Sequence, residues 1–414
     1  MKTVVQINSV ANCGSTGRIA EQIGLLAKAQ GWRSIMVHGA PRFSNNSSLE
    51  TIQCVTPLGE RINAIQSRLF DNHGLSGANA TRHVVRLIEE SHPDIVHLHN
   101  IHGYHINYKI LFEYLQYADC KVVWTLHDCW VFTGHCAYFD LAGCEKWKTQ
   151  CKHCSQKRDY PASYGLNRAA ENYRIKRQLF TSLGDRLTLV PVSNWLADLI
   201  GESFLKGTHV NTIHNGIDIN AFHQIEQKRS LAILENYKIQ YREVENKKIV
   251  LGCASGWGKR KGYNDFKKIR ELLPADQYAI MMVGLNEKQL EEMSSHGIIG
   301  IARTNSVGDL AALYSLADVF INPTYEDNYP TTNLEALACG TPVITYRTGG
   351  SPEAIDDKTG VVIAQGDVAA LAEAIKQMMS NPLSSTACRQ RAERLFDKDK
   401  CFERYVELYE DLLG

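Results

Sequence analysis

The chain has 414 residues, of which 44% are hydrophobic and 22% charged. These are the proportions of a globular protein of two or three domains, which excludes a collagen-like or disordered chain. No apolar run approaches the roughly 18 residues of a membrane-spanning helix. The 45 basic and 45 acidic side chains cancel overall, yet residues 1–210 hold 22 Lys and Arg against 17 Asp and Glu, and residues 211–414 hold 23 against 28. Such polarisation suggests two domains with different partners.

Short β-branched runs alternate with helical patterns along the chain. Strands are expected at 3–7, 34–37, 95–98, 122–126 and 187–192, with amphipathic helices at 19–29, 80–90 and 108–118. A second set follows, with strands at 249–253, 279–283, 319–322 and 343–345 and helices at 265–273, 309–316, 332–339 and 368–379. This βαβα rhythm, occurring twice, predicts two α/β domains with parallel sheets. The charged segment 226–248 carries no clear strand and reads as the connection between them. The first residues form a strand and lack the apolar core of an export signal, so a cytoplasmic location is expected.

Ligands of open α/β sheets sit beyond the carboxyl ends of the strands, so the following loops carry the candidate chemistry. After the first strand, Gly14-Ser15-Thr16-Gly17 opens a helix and reads either as an anion seat or as a tight turn. His99 follows the 95–98 strand, with His97, His102 and His105 nearby, and His127-Asp128 follows the 122–126 strand. Imidazoles at adjacent strand ends suit a polar ligand such as a sugar. In the second half, Ser255-Gly256-Trp257-Gly258-Lys259-Arg260-Lys261-Gly262 sets three cations among glycines, which suits a diphosphate; the alternative is a solvated basic turn. Residues 323–342 run through Glu326, Asp327 and Asn328 into a helix with Thr331 or Thr332 as its cap and Glu335 inside. A helix start flanked by two carboxylates offers a phosphate seat between two hydroxyl clamps, as a nucleotide-sugar requires.

Cys136, Cys144, Cys151 and Cys154 cluster in a stretch, 141–177, with nine basic and three acidic residues. They read as a structural zinc knuckle, as buried thiols or as a redox pair, with His135 or His153 as substitute ligands. The basic helix around Arg168, Arg174, Lys176 and Arg177 suits peripheral contact with acidic lipid through 141–177. A neutral overall charge argues against nucleic acid.

Taken together these motifs resemble glycosyltransferase family 4. The 326–342 segment is similar to its acidic signature, 255–262 to its phosphate loop, and His127-Asp128 to its histidine loop. Val192-Ser193-Asn194, Asn215-Gly216-Ile217-Asp218 and Gly349-Gly350-Ser351-Pro352-Glu353 match further family loops. The run from His127 through Cys136, Trp147 and Cys151–Cys154 is more specifically similar to colanic-acid and capsule-type enzymes. The resemblance implies a GT-B fold: an acceptor-binding domain over 1–215 with a Cys-rich insertion at 129–165, a nucleotide-sugar domain over 216–395, and a C-terminal helix, 396–414, returning to the first. It implies retaining transfer from an NDP-sugar to a glycan or polyprenyl-diphosphate-linked acceptor at the inner face of the plasma membrane, with no metal cofactor for catalysis. Glu335 would hold the ribose diol, Lys261 the diphosphate with the Thr331 and Thr332 amides, and His127 the donor sugar. Asp327 has the family spacing from Glu335, with Glu326 the alternative acid. Ser255 occupies the usual arginine position, which Arg260 would replace. Gly14, Ser15, Thr16, Gly17 and His99 fall to the acceptor side. An NDP-sugar epimerase, a phosphorylase and a non-catalytic sugar-nucleotide scaffold are the competing readings.

Overall fold

The computed structural model describes residues 1–39 and 44–414. It divides into two units, Met1–His214 with Cys401–Gly414, and Asn215–Lys400.

The N-terminal unit is built from β1 (Thr3–Ile7), α1 (Gly14–Ala29), β2 (Arg33–His38), β3 (Glu50–Gln53), α2 (Pro57–Phe70), α3 (Ala78–Glu90), β4 (Ile95–Leu98), α4 (Tyr108–Leu115), β5 (Lys121–Leu126), α5 (Ala169–Phe180), β6 (Leu187–Pro191), α6 (Asn194–Glu202) and β7 (His209–Val210). Its seven strands pair in parallel in the order β3-β2-β1-β4-β5-β6-β7. Side chains alternate between faces along each strand. Val5 and Ile7 of β1 therefore pack with Val84 and Ile88 of α3 and Phe112 of α4, while Val4 packs on the other face with Ile19 and Ile23 of α1. That second face is completed by Phe402, Tyr405 and Tyr409 near the chain's end. Each such fully buried side chain stabilises by about 1.5–3 kcal/mol.

The C-terminal unit contains α7 (Gln227–Leu234), β8 (Lys248–Cys253), α8 (Tyr263–Leu272), β9 (Tyr278–Val283), α9 (Glu287–Ser295), β10 (Ile299–Ile301), α10 (Val307–Leu316), β11 (Val319–Asn322), α11 (Thr331–Ala338), β12 (Val343–Tyr346), β13 (Gly360–Ile363), α12 (Val368–Ser380) and α13 (Ser385–Leu395); α14 (Lys398–Leu413) ends the chain. Its parallel sheet has the order β10-β9-β8-β11-β12-β13. The segment 226–248 is not the connection between units: it lies inside the C-terminal unit, where α7 packs on α10. Its charges gave no strand because it forms a helix and short turns.

In both sheets the strand order reverses about the first strand, between β1 and β4 and between β8 and β11. The loops after those strands diverge there and leave a crevice at the switch point.

Candidate active site

In the C-terminal unit, the loops after β8 and β11 are tied together. Gly262 makes this approach possible: its φ is +71°, and a Cβ there would strike the Pro323 carbonyl. The Arg260 carbonyl accepts from the Tyr325 amide at 2.7 Å, and the Arg260 guanidinium donates to the Glu326 carbonyl at 2.9 Å. Lys261 forms an ion pair with Asp327, the two side chains being 19% and 13% exposed. Asp327 also accepts from the Asn328 amide at 3.1 Å. The Lys261 cation therefore meets the side chain of Asp327, whereas Glu326 is buried and engages Arg260 through its backbone. Ser255 lies exposed on the same loop, five residues before Arg260.

The α11 N-cap is Pro330, with no side-chain cap. This corrects the expected capping role of Thr331 and Thr332, which are the first residues of the helix itself. Proline fits a helix start because its fixed φ is already helical and it has no amide to satisfy. The first-turn amides thus stand at the positive end of the helix dipole without a side-chain oxygen over them. One turn on, Glu335 Oε2 accepts from the buried Tyr314 hydroxyl at 3.1 Å. Burial pushes the Tyr314 phenol well above its ordinary range, aided by Cys253 and Glu335, so it remains a donor.

The N-terminal unit places a different chemistry at its switch point. Gln6 Nε2 donates to the Ala20 carbonyl at 2.9 Å, which leaves Gln6 Oε1 to accept from His99 Nε2 at 3.1 Å. In a neutral imidazole the other nitrogen is then an acceptor. His99 Nδ1 faces His127 Nε2 at 3.4 Å, with the rings nearly parallel. This chain assigns the His127 proton to Nε2 and leaves Nδ1 as an acceptor. Burial lowers His99 well below its usual value, and His97 and His127 lower it further. Burial also lowers His127 to about 4, partly opposed by Asp128. Both rings are neutral at physiological pH.

Beside them, His102 Nε2 meets Asp128 Oδ2 at 2.9 Å, and Asp128 Oδ1 accepts from the Trp130 amide at 2.9 Å. Burial opposes ionisation of Asp128, but His102 and the amide hold it below its usual range. His99, His102, His127, Asp128 and Trp130 line one small recess that opens to solvent. The exposed Tyr160, from the Cys-rich segment, brings its hydroxyl to 3.3 Å from His102 Nδ1. Gly14, Ser15, Thr16 and Gly17 form the first turn of α1, whose N-cap Cys13 makes no side-chain cap.

The zinc knuckle expected at the four clustered cysteines is not shown, although Cys136 lies near Cys151 and Cys154, and Cys151 near Cys144. Among the described residues no three His, Cys, Asp or Glu side chains are gathered to hold a metal. The Cys136 and Cys154 thiols, both free, are hydrogen-bonded, which raises the Cys136 thiol and lowers that of Cys154. Burial raises Cys151 to about 11. Cys144 is half-buried against the same core. Lys176 is buried there, donating to the Trp130 and Thr133 carbonyls at 2.6 and 3.0 Å and lying 3.3 Å from the Trp130 ring centre.

The expected basic helix is α5, which carries Arg174, Lys176 and Arg177. Arg168 precedes α5 as its N-cap and pairs with Glu171, Lys176 faces the core, and Lys148 pairs with Glu145 and Glu202. Lys146, Lys152, Arg158, Arg174 and Arg177 remain exposed. No helix among the described residues is long and apolar enough to cross a membrane.

Sequence reasoning missed Gln6 and Tyr314 as parts of these sites. Gln6 had one visible signal, a lone amide in an otherwise apolar strand.

Comparison with known proteins agrees with this geometry. A protein of Escherichia coli (strain K12), named as a colanic acid biosynthesis glycosyl transferase, WcaC, is 25% identical over 424 residues, covering 99% of this chain and all of that protein. The capsular polysaccharide biosynthesis glycosyltransferase CapM of Staphylococcus aureus is 24% identical over 44% of this chain and 51% of its own length. Among solved structures, sucrose-phosphate synthase from Thermosynechococcus elongatus matches with a TM-score of 0.72 at 16% identity, over 100% of this chain and 99% of that one. Anabaena HepE in complex with UDP-glucose matches with a TM-score of 0.64 at 15% identity, over 99% and 100%. These likenesses are of fold, the GT-B arrangement of two Rossmann-like domains. The model for Glycosyltransferase Family 4 matches residues 19–221 and that for Glycosyl transferases group 1 matches 235–395, so the chain belongs to the family 4 glycosyltransferases.

Proposed function

We propose that this enzyme transfers a sugar from an NDP-sugar to a glycan or lipid-linked oligosaccharide, with retention of anomeric configuration, in the cytoplasmic assembly of a surface polysaccharide. The carrying observation is the pairing of Lys261 with Asp327 at the C-terminal unit's switch point, on the loop that leads to the open N-terminus of α11. An ammonium and helix amides together suit a diphosphate. Lys261 would exchange Asp327 for the donor's phosphate, Arg260 would add charge, and Glu335, oriented by Tyr314, would take the ribose diol. Asn328, Thr331, Thr332 and Ser255 would complete the donor contacts.

In the transfer the bond from the anomeric carbon to the phosphate oxygen breaks, and the acceptor oxygen bonds to that carbon on the same face. The acceptor's proton leaves with the departing diphosphate. The charge that develops on the leaving group is met by Lys261, Arg260 and the α11 amides, so this reading needs no catalytic metal. His127, neutral and with Nδ1 as an acceptor, suits a sugar hydroxyl. His99 and the Gly14–Gly17 turn fall to the acceptor side of the reading.

Its support in kind is the full-length likeness to the E. coli colanic acid protein and the likeness in fold to HepE, which was solved with UDP-glucose. The test is a panel of UDP-, GDP-, ADP- and TDP-sugars, scored by thermal shift and slow donor hydrolysis, followed by NMR of the product linkage. One preferred donor and a retained anomeric centre are expected. Conversion of donor without acceptor, dependence on inorganic phosphate, or binding with no turnover would replace this reading.

A further inference from the structure

Helix α2 is inside out. Leu58, Ile62, Ile65 and Leu69 recur at i, i+4, i+7 and i+11, the spacing of one helix face, and with Phe70 they are 48% to 67% exposed. A globular helix normally turns such a stripe to the core. Here the polar residues face inward. Glu60, Asn63 and Ser67 are buried, with Asn63 donating to the Tyr104 carbonyl at 2.8 Å and Ser67 lying 3.2 Å from His73 Nδ1. The neighbouring α3 has the ordinary orientation, burying Val84 and Ile88.

The inverted face extends beyond the helix. The Tyr164 and Gly165 amides donate to the Arg68 carbonyl, and the Leu166 amide donates to the Leu69 carbonyl at 3.0 Å. These bonds cap the end of α2 and set Tyr164 and Leu166, 64% and 54% exposed, beside Leu69 and Phe70. We infer that α2 and the 164–166 loop form a surface that seats this protein on an anionic lipid bilayer, the apolar stripe entering the acyl boundary and Arg61 and Arg68 meeting the headgroups.

The charges select this occupant. Arg61 and Arg68 are exposed, and the helix's single acid, Glu60, is turned inward. The outward face is therefore apolar with a purely cationic edge, as interfacial helices are. A second copy docked on the same patch about a two-fold axis would bring like charges together. This surface takes residues 164–166 from the 141–177 stretch expected from charge, but its centre is the exposed apolar face of α2.

The full-length protein should sediment with phosphatidylcholine vesicles containing phosphatidylglycerol, and binding should weaken as salt rises. Replacing Leu58→Gln, Ile62→Gln, Ile65→Gln and Leu69→Gln together should reduce that binding by at least about tenfold. Because these side chains are exposed, thermal stability and hydrolysis of a soluble donor should not change. Arg61→Gln with Arg68→Gln should weaken binding and flatten its salt dependence. Vesicle binding is read without turnover, so the result stands apart from the fate of the transferase reading. The inference is overturned if the wild-type protein ignores anionic vesicles or if the fourfold variant binds them equally. It is also overturned if the wild-type protein is a dimer in solution that the fourfold variant converts to monomer.

Discussion

In the C-terminal unit the groups over the switch point are charged and already paired, Lys261 with Asp327. In the N-terminal unit the corresponding groups are neutral rings joined in a chain from Gln6 through His99 to His127. A salt-bridged lysine can exchange one anion for another at modest expense, so such a loop suits a ligand that brings its own negative charge. A buried imidazole chain cannot take on charge cheaply, and it fixes which nitrogen donates and which accepts. It suits hydroxyls. The same topology thus yields one loop pair with charged, partly exposed groups and another with neutral, buried ones.

The largest expected effect breaks the charged side of this contrast. Lys261→Ala should lower kcat/KM by about 10³-fold, the scale seen when a group facing developing charge is removed. Lys261 is on a surface loop, so the melting temperature should move little. A loss below about tenfold would take the charge out of the mechanism. On the neutral side, His127→Ala should lower kcat by about 10²-fold with little change in donor KM.

The pH response sharpens the contrast further. Because burial holds His127 at about 4, kcat should be flat from pH 8 to pH 6 and fall only as that value is approached. Stability should respond earlier. His97 and His105 are lowered to about 3 by burial, so in acid the unfolded chain binds protons at these sites that the folded chain refuses. Their contribution is complete above pH 6.5 and is lost as pH falls towards the folded values, at about 1.4 kcal/mol for each tenfold difference in proton affinity between the unfolded and folded chain. A melting temperature that stays constant from pH 7 to pH 4.5 would mean that these rings are not buried neutral.

A smaller effect separates the two acids of the donor loop. Asp327→Asn should cost about tenfold in kcat/KM, because it alters the side chain that Lys261 meets. Glu326→Gln should cost less than Asp327→Asn, since the side chain that Lys261 meets is that of Asp327. The reverse ranking would move the first acidic position to Glu326.

The strands were legible because their apolar, β-branched runs are long enough to mark buried parallel sheet, as in 3–7 and 319–322. β3 was not: Glu50-Thr51-Ile52-Gln53 is an edge strand with little burial. Helix α2 escaped because its polarity is reversed, and a periodic pattern says that a helix has two faces without saying which one the fold covers. The loops bearing His127, Lys261 and Glu335 could be picked out by residue type and context. The pairings could not, since Gln6 lies 93 residues from His99, and Asp327, though picked out itself, lies 66 from Lys261. The reading of the cysteine cluster is limited for a related reason. Spacing proposes a metal site, but only the path of the chain decides how four nearby thiols are oriented.

The smallest effect probes the join between charge and neutrality within the C-terminal unit. Tyr314 has no charge and is buried, yet its hydroxyl is aimed at Glu335 Oε2. Tyr314→Phe keeps the ring and removes only that donor. Losing one such bond is worth about 1 kcal/mol, or about fivefold in an equilibrium. If Glu335 serves to hold the donor's diol, the change should raise donor KM and leave kcat alone, the pattern of binding lost equally from ground and transition states. A donor lacking the 2′ and 3′ hydroxyls offers nothing for Glu335 to hold, so wild type and variant should then have the same KM. A difference that persists with that donor would make the Tyr314 hydroxyl a packing element rather than a positioning one, and would remove Glu335 from the diol.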